Sequence, residues 1–83
     1  MDPSQSWNDM LTAYATKQWA EALEYAEALR DWLEGGGFAP QPTVGTTTGS
    51  FTCQLDADFS RAVCLAACHH VFERSIMEMG DVA

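Results

Sequence analysis

Three cysteines and two adjacent histidines are the side chains of this sequence with the most reactive chemistry. Cys64 and Cys68 stand four residues apart, His69 and His70 follow directly, and Cys53 lies eleven residues before Cys64. Thiolate and imidazole groups are the usual ligands of structural zinc, which needs four of them in a tetrahedral arrangement. The cysteines are therefore candidate metal ligands, and the same thiols are candidates for a redox response.

Helical geometry argues against adding the histidines to this set. Successive helical residues point about 100° apart, so His69 and His70 diverge from Cys68. A catalytic cysteine needs a histidine base in contact with it, and adjacent positions of one helix do not provide that contact. Cys64 and Cys68 also lie on an apolar face, where a free cysteine behaves as a small hydrophobic residue. We therefore expect core cysteines, no cofactor, no catalytic residue and no enzymatic activity.

The helix that carries Cys64 and Cys68 is predicted over about 57–79. Asp56 or Asp58 provides its N-cap, and Gly80 closes it. Its main apolar face consists of Cys64, Leu65, Cys68, Val71, Phe72, Ile76 and Met79. Its first half is apolar almost all round, through Phe59, Val63, Ala66 and Ala67. This first half is therefore predicted to be buried on more than one side, with His70 on its flank.

A longer helix is predicted over about 3–34. Asp2 is placed to cap it, Pro3 suits its first turn, and no Gly or Pro interrupts it before Gly35–Gly37. Its apolar stripe contains Leu11, Tyr14, Ala15, Trp19, Ala22, Tyr25, Ala26, Leu29, Trp32 and Leu33. The opposite face carries Asp9, Glu24, Glu27, Asp31 and Glu34, interrupted by Lys17. The helix is thus predicted to have one core face and one acidic face.

The segment 35–55 between the two helices is rich in Gly, Pro and Thr, which breaks a helix. Near its end Phe51, Cys53 and Leu55 alternate with polar residues, a period of two that predicts a short half-buried strand. Residues 43–48 could pair with it through a turn near Gly49. A lone two-stranded ribbon is only marginally stable, so it needs a helix beneath it or a twin strand from another subunit.

Composition limits both the fold and the partners. The 83 residues support one domain, and a net charge of -8 without a basic cluster argues against direct binding of nucleic acid or of anionic membranes. The first residues do not form a secretory signal, and no apolar stretch is long enough to span a membrane. An odd number of cysteines argues against a disulfide framework. We therefore expect a cytoplasmic protein with free thiols.

These observations combine into one prediction of fold and function. The chain is predicted to be a single, mainly α domain over 1–83, with two long antiparallel helices, one or two short strands, and a bundle completed by homodimerisation. Its function is predicted to be non-enzymatic protein interaction, as an inhibitor or regulator that docks an acidic helix face on a basic surface, such as that of a nucleic-acid-binding protein. The residues of that face are Glu24, Glu27, Asp31 and Glu34.

Three alternatives stay open. The chain is a small metal-binding or redox-responsive protein that uses Cys53, Cys64 and Cys68, or it is a structural subunit of a larger assembly. In the third alternative the acidic face serves solubility alone, because a strongly charged helix face is commonly just solvated.

Overall fold

The computed structural model describes residues 1–80, which fold into three helices and a two-stranded antiparallel sheet. The elements are α1 Pro3–Ala15, α2 Trp19–Glu34, β1 Thr43–Gly45, β2 Thr52–Gln54 and α3 Ala57–Gly80. The predicted mainly helical fold with a short strand region is confirmed. In this part of the chain, no helix combines the length and the apolar character that crossing a bilayer requires.

Two aspartates begin the helices at the positions that the sequence indicates. The Asp2 carboxylate accepts hydrogen bonds from the backbone N–H groups of Ser4 and Gln5 at 3.1 and 3.2 Å. At the start of α3, Asp56 Oδ1 accepts the N–H of Phe59 at 2.8 Å, so Asp56 rather than Asp58 is the cap. Each carboxylate satisfies amides that have no partner inside the helix.

The single helix predicted over 3–34 is wrong, because a tight turn divides it into α1 and α2. Lys17 has a φ of 60° and is the only described non-glycine residue with a positive φ. The N–H of Lys17 donates to the carbonyl of Tyr14 at 3.1 Å, and the N–H of Gln18 donates to that of Ala13 at 2.8 Å. These two bonds form the Schellman motif, which ends a helix and satisfies its last carbonyls.

This turn changes which residues of α1 point inward. The apolar stripe drawn on one continuous helix includes Leu11 and Ala15, yet Leu11 is 40% exposed and Ala15 is also exposed. Met10 and Ala13 are buried instead, at 0% and 4% exposure. The phase differs because α1 packs beside α2 rather than extending it.

The core lies where α2 packs on both other helices. From α2 it receives Ala22, Ala26, Leu29 and Leu33, which repeat every three or four residues. From α3 the buried residues are Ser60, Cys64, Cys68, Val71 and Ser75, most of them small. The molecule is flat, with extents of 43 × 34 × 17 Å, because α2 is the central helix and has α1 and α3 as its neighbours.

Arg61 anchors the beginning of α3 to the end of α2. Its guanidinium donates to the carbonyl of Leu33 and, at 3.2 Å, to that of Gly37. A cation at this position also interacts favourably with the negative end of the α2 dipole. At the opposite end, the guanidinium of Arg74 lies 5.6 Å from the ring of Trp19. Helices α2 and α3 therefore run antiparallel.

The segment after α2 is held by side chains rather than by regular structure. The indole Nε1 of Trp32 donates to the carbonyl of Phe38 at 2.8 Å, and the two aromatic rings meet edge to face. The thiol of Cys64 lies 3.7 Å from the carbonyl of Pro40, and the bond from Arg61 adds a further attachment. Helices α2 and α3 thus fix the path of the chain towards the hairpin.

The hairpin stands away from the core. Strands β1 and β2 pair with Val44 opposite Cys53, and Gly49 takes a φ of 73° in the connecting turn. The strand around Cys53 was predicted to be half buried, and this is wrong, because every residue of β1 and β2 is exposed. Of the three alternating apolar residues Phe51, Cys53 and Leu55, only Leu55 is buried, at 8% exposure, and it lies after the end of β2.

The positive φ of Lys17 predicts whether glycine at this position raises or lowers the free energy of unfolding. We expect Lys17→Gly to raise the free energy of unfolding by about 1 kcal/mol, because glycine adopts a positive φ without a Cβ clash. Circular dichroism melts would show this as an increase in Tm of about 4–8 °C for a domain of this size. The control Lys17→Ala loses the same charge but keeps the Cβ, so it should give no increase. In a continuous helix the order would reverse, with Gly about 1 kcal/mol less stable than Ala.

Packing of the segment after α2 predicts a second change in stability. A Cβ on Gly37 would lie 2.3 Å from Cε2 of Trp32, so Gly37→Ala must displace the indole from Phe38. We expect urea denaturation to show a loss of about 1–3 kcal/mol. Gly80→Ala is the control, since its added Cβ meets nothing within 4 Å. Equal stability of the two variants would contradict this packing.

Candidate interaction surfaces

The acidic ridge is the row Glu24, Glu27, Asp31 and Glu34 on α2. All four side chains are exposed, and they lie opposite the face of α2 that forms the core. At a rise of 1.5 Å per residue, their positions recur about every 5 Å along the helix axis. The structure thus brings together on one face the four residues that the sequence singles out.

Little positive charge offsets the ridge. The guanidinium of Arg30 lies 3.4 Å from the carboxylate of Asp31, and this is the one ion pair of the ridge within residues 1–80. Arg30 also stacks over the ring of Phe72, at 5.2 Å from its centre. Because exposed ion pairs contribute little and are screened by salt, the ridge stays a strongly negative surface.

A second surface, the outer face of α3, is exposed and carries apolar side chains at both of its ends. Phe59, at 56% exposure, lies with Ala62 and Ala66 in the first half of the helix, and Met77, at 65%, lies near its end. The exposed His70 and Glu73 lie between them. The first half of this helix was predicted to be buried on more than one side by the other elements and a partner subunit together, and in the single chain its outer side is exposed. In a molecule this flat, α2 covers one side of α3, and within residues 1–80 no other helix or strand packs on the opposite one.

The three cysteines lie in two different environments. Cys53 is exposed on β2, whereas Cys64 and Cys68 are buried in the contact between α3 and α2. Burial raises the pKa of the Cys64 thiol to about 11. It also raises that of Cys68 to about 11, with a smaller upward effect from Cys64 and an opposing effect from Arg30. Both buried thiols therefore stay protonated near neutral pH.

The structure does not bring the three candidate metal ligands together. A metal ligand or nucleophile must be the thiolate, and two of the three thiols are held in the protonated form by burial. Across residues 1–80, no group of three or more Cys, His, Asp or Glu side chains is close enough to hold a metal ion. The cysteines that the sequence joins as Cys53, Cys64 and Cys68 thus do not form one site.

The two histidines are both exposed, but only His70 has a side-chain partner among the hydrogen bonds of the described residues. Its Nε2 is 3.1 Å from the hydroxyl of Tyr14, a hydrogen bond between α3 and α1. Tyr14 in turn meets the ring of Trp19 edge to face, with the ring centres 5.7 Å apart. His70 therefore ties α1 to α3, whereas His69 is exposed to solvent.

An open groove of about 770 Å³ lies beside the hairpin. Its lining combines the start of α1, the segment after α2, the end of β2 and the start of α3: Ser4, Gly36, Gly37, Phe38, Ala39, Pro40, Gln41, Gln54, Ala57, Asp58 and Arg61. Asp58 and Arg61 are its ionisable groups, and Arg61 is already bonded to the end of α2. The groove is thus mainly an apolar and amide surface.

Sequence reasoning missed the contacts that join distant parts of the chain. Nothing near Arg61 in the sequence points to Leu33, and Tyr14 was placed in the core stripe without its bond to His70. One signal was present for the turn at Lys17. Met10 is a large apolar residue that falls outside the stripe of a continuous helix, and burying it requires a change of phase.

Comparison with protein-family models, with curated proteins and with solved structures gives no match to this chain. The surfaces described above are therefore the basis for a function. They are the acidic ridge, the outer face of α3 and the exposed hairpin with its adjoining groove.

The cysteine environments predict a stepwise thiol reaction. With a disulfide reagent at pH 8, Cys53 should react at once, whereas Cys64 and Cys68 should react only after denaturant is added. Their pKa of about 11 in the folded chain, against 9.0 for an ordinary thiol, means that raising the pH through this range favours unfolding. Cys53→Ser is the control and should remove the fast phase alone. Three fast thiols in the folded protein would contradict the buried positions.

Proposed function

We propose that this protein is a non-enzymatic interaction module that works as a homodimer and binds a basic surface of another protein through the acidic ridge. The observation that carries the proposal is the separation of the two faces of α2. Ala22, Ala26, Leu29 and Leu33 form its buried side, and the four ridge carboxylates point to solvent on the other side. A rigid helix therefore presents negative charge in fixed positions.

Electrostatics favours a basic protein surface as the partner. The net charge of -8 repels nucleic acid and attracts a surface rich in Lys and Arg. Such a surface is typical of proteins that bind nucleic acid, because they neutralise phosphates with the same side chains. A row of carboxylates about 5 Å apart occupies that surface in place of the phosphates. The protein would then act as an inhibitor or regulator of its partner.

Exposed apolar side chains support the homodimer. Phe38, Phe51 and Met77 are 70%, 62% and 65% exposed, and covering such large apolar side chains against a second copy is favourable. A flat monomer with one thin core leaves few places where they can be covered within the chain. A second copy would cover part of this surface and enlarge the core that a short chain can form.

The ridge is tested with two variants of equal charge. The ridge variant combines Glu24→Gln, Glu27→Gln, Asp31→Asn and Glu34→Gln. The control variant makes the same kinds of change away from the ridge, at Asp9, Asp58, Glu73 and Glu78. Each removes four negative charges, so any difference in binding reports the position of the charge rather than its amount.

We expect immobilised wild-type protein and the control variant to capture the same basic protein from a lysate of the source cells, and the ridge variant to lose it. Raising the salt from about 0.1 to 0.5 M should release the partner, because these charges lie at the surface. Duplex DNA or RNA should then compete for the purified partner. Capture that is equal for all three proteins, or insensitive to salt, would rule out the ridge as the binding surface.

A further inference from the structure

We propose that two copies of this chain join through the free edge of β2, forming a four-stranded antiparallel sheet whose twofold axis passes beside Cys53. The inference rests on the proposed homodimer and specifies its interface. It is independent of the acidic ridge, which lies on α2. The hydrogen-bonding pattern of the hairpin, the charge of the chain and the position of Phe51 support it.

The pairing within the hairpin determines which backbone groups remain free. The N–H of Thr46 donates to the carbonyl of Phe51 at 3.0 Å, so these two residues form a hydrogen-bonded pair. In an antiparallel ladder such pairs alternate with pairs that are not hydrogen-bonded. With Val44 opposite Cys53, the groups of Cys53 point into the hairpin. The N–H and carbonyl groups of its two neighbours in β2 therefore point outward.

These outward groups belong to Thr52 and Gln54. The donors and acceptors of one β2 match those of a second β2 that runs in the opposite direction. When a second β2 approaches in the antiparallel sense, Thr52 of one copy lies opposite Gln54 of the other. Each such pair exchanges two N–H to carbonyl bonds, so the twofold axis generates four. The same register sets Cys53 opposite Cys53 of the second copy. The edge is thus a template for the same strand of another molecule.

The edge of β1 is less open than that of β2. Thr43, where β1 begins, shares a cleft of about 350 Å³ with Trp7 and Leu11 of α1. A strand added at β1 would have to share this space with α1. Gln54, where β2 ends, borders the wider groove of about 770 Å³, which Ser4 at the start of α1 also lines, so the edge of β2 has more room for a second strand.

Apolar side chains fit the same register. Residues of a strand alternate between its faces, so Phe51, Cys53 and Leu55 share one face. In the paired sheet, Phe51 of one copy comes opposite Leu55 of the other, next to the groove that Gln54 borders. Phe51 is 62% exposed in the single chain, whereas Leu55 is already 8% exposed, so the surface that pairing covers is that of the two Phe51 rings, one in each copy. Hydrophobic burial then adds to the four backbone bonds.

Charge favours a second copy over the basic partner at this edge. Residues 35–55 contain no charged side chain, although the whole chain has a net charge of -8. Two copies repel each other over most of their surfaces but not here, and a basic protein gains no attraction here. A two-stranded hairpin is also only marginally stable alone, and pairing with its twin removes that weakness. The second copy is therefore the occupant that suits this edge.

The edge is tested by removing one outward N–H at a time. Thr52→Pro deletes a donor on the free edge of β2, and Thr43→Pro deletes the matching outward donor of β1. Neither N–H is used inside the hairpin, so both variants keep its internal bonds. Sedimentation equilibrium should give dimers for the wild type and for Thr43→Pro. Thr52→Pro should raise the dissociation constant by about 30-fold, because each dimer loses two bonds.

Disulfide cross-linking of the native Cys53 tests the register of the two β2 strands, and it needs no engineered cysteine. Diamide takes two electrons and two protons from two thiols, and one disulfide forms. We expect a single cross-linked dimer through Cys53, formed at a rate that dilution does not change while the dimer persists. The distance between facing Cα atoms in such a pair, about 4.5 Å, lies within the range for disulfides. Cys53→Ser should still dimerise but should not cross-link.

Two outcomes would overturn the proposal. A wild-type chain that is monomeric throughout would remove both the edge contact and the homodimer, while the test of the acidic ridge would stand on its own. A dimer that survives Thr52→Pro but is lost in Ala66→Glu would place the interface on the outer face of α3 instead. Ala28→Glu, on the exposed side of α2, is the matched control for that variant.

Discussion

Close packing between α2 and α3 is the interaction on which the rest of the molecule depends. Ala22 and Ala26 meet a stripe of α3 in which Ser60, Cys64 and Cys68 are almost completely buried. Small side chains on both helices allow the backbones to come near each other. The same contact shields the two thiols from water, which accounts for their raised pKa. It also brings the start of α3 to the end of α2, where a guanidinium and an indole fix the following segment.

The positions of charged residues follow from that packing. The outward side of α2 is free to carry carboxylates because its inward side is occupied by α3 and α1. Charge is absent from the chain between Glu34 and Asp56, where the hairpin forms. One short protein thus offers two surfaces of opposite character. A charged surface suits a partner of opposite sign, whereas a neutral one suits contact between identical chains.

The parts predicted from sequence are those that local chemistry determines. Asp2 and Asp56 cap their helices through bonds to amides two or three residues away, and the acidic ridge follows from helical periodicity alone. The contacts that sequence reasoning missed join residues far apart, such as Arg61 and Leu33. Lys17 was missed for another reason: lysine favours helices, and only the packing of α1 on α2 makes its left-handed backbone acceptable. The exposure of the hairpin was missed because alternating apolar and polar residues indicate that a strand has two different faces. The alternation does not indicate whether another element covers the apolar face.

The turn at Lys17 also limits how α1 can find its place. If that residue returned to a helical φ, α1 and α2 would become one rod, and Met10 and Ala13 would leave the groove they occupy. The vacated groove on α2 would then match the α1 of any neighbouring molecule. Three-dimensional domain swapping starts from this geometry, a hinge under mild strain between an element and its own binding site. A residue with positive φ thus keeps α1 folded back on α2 of its own chain.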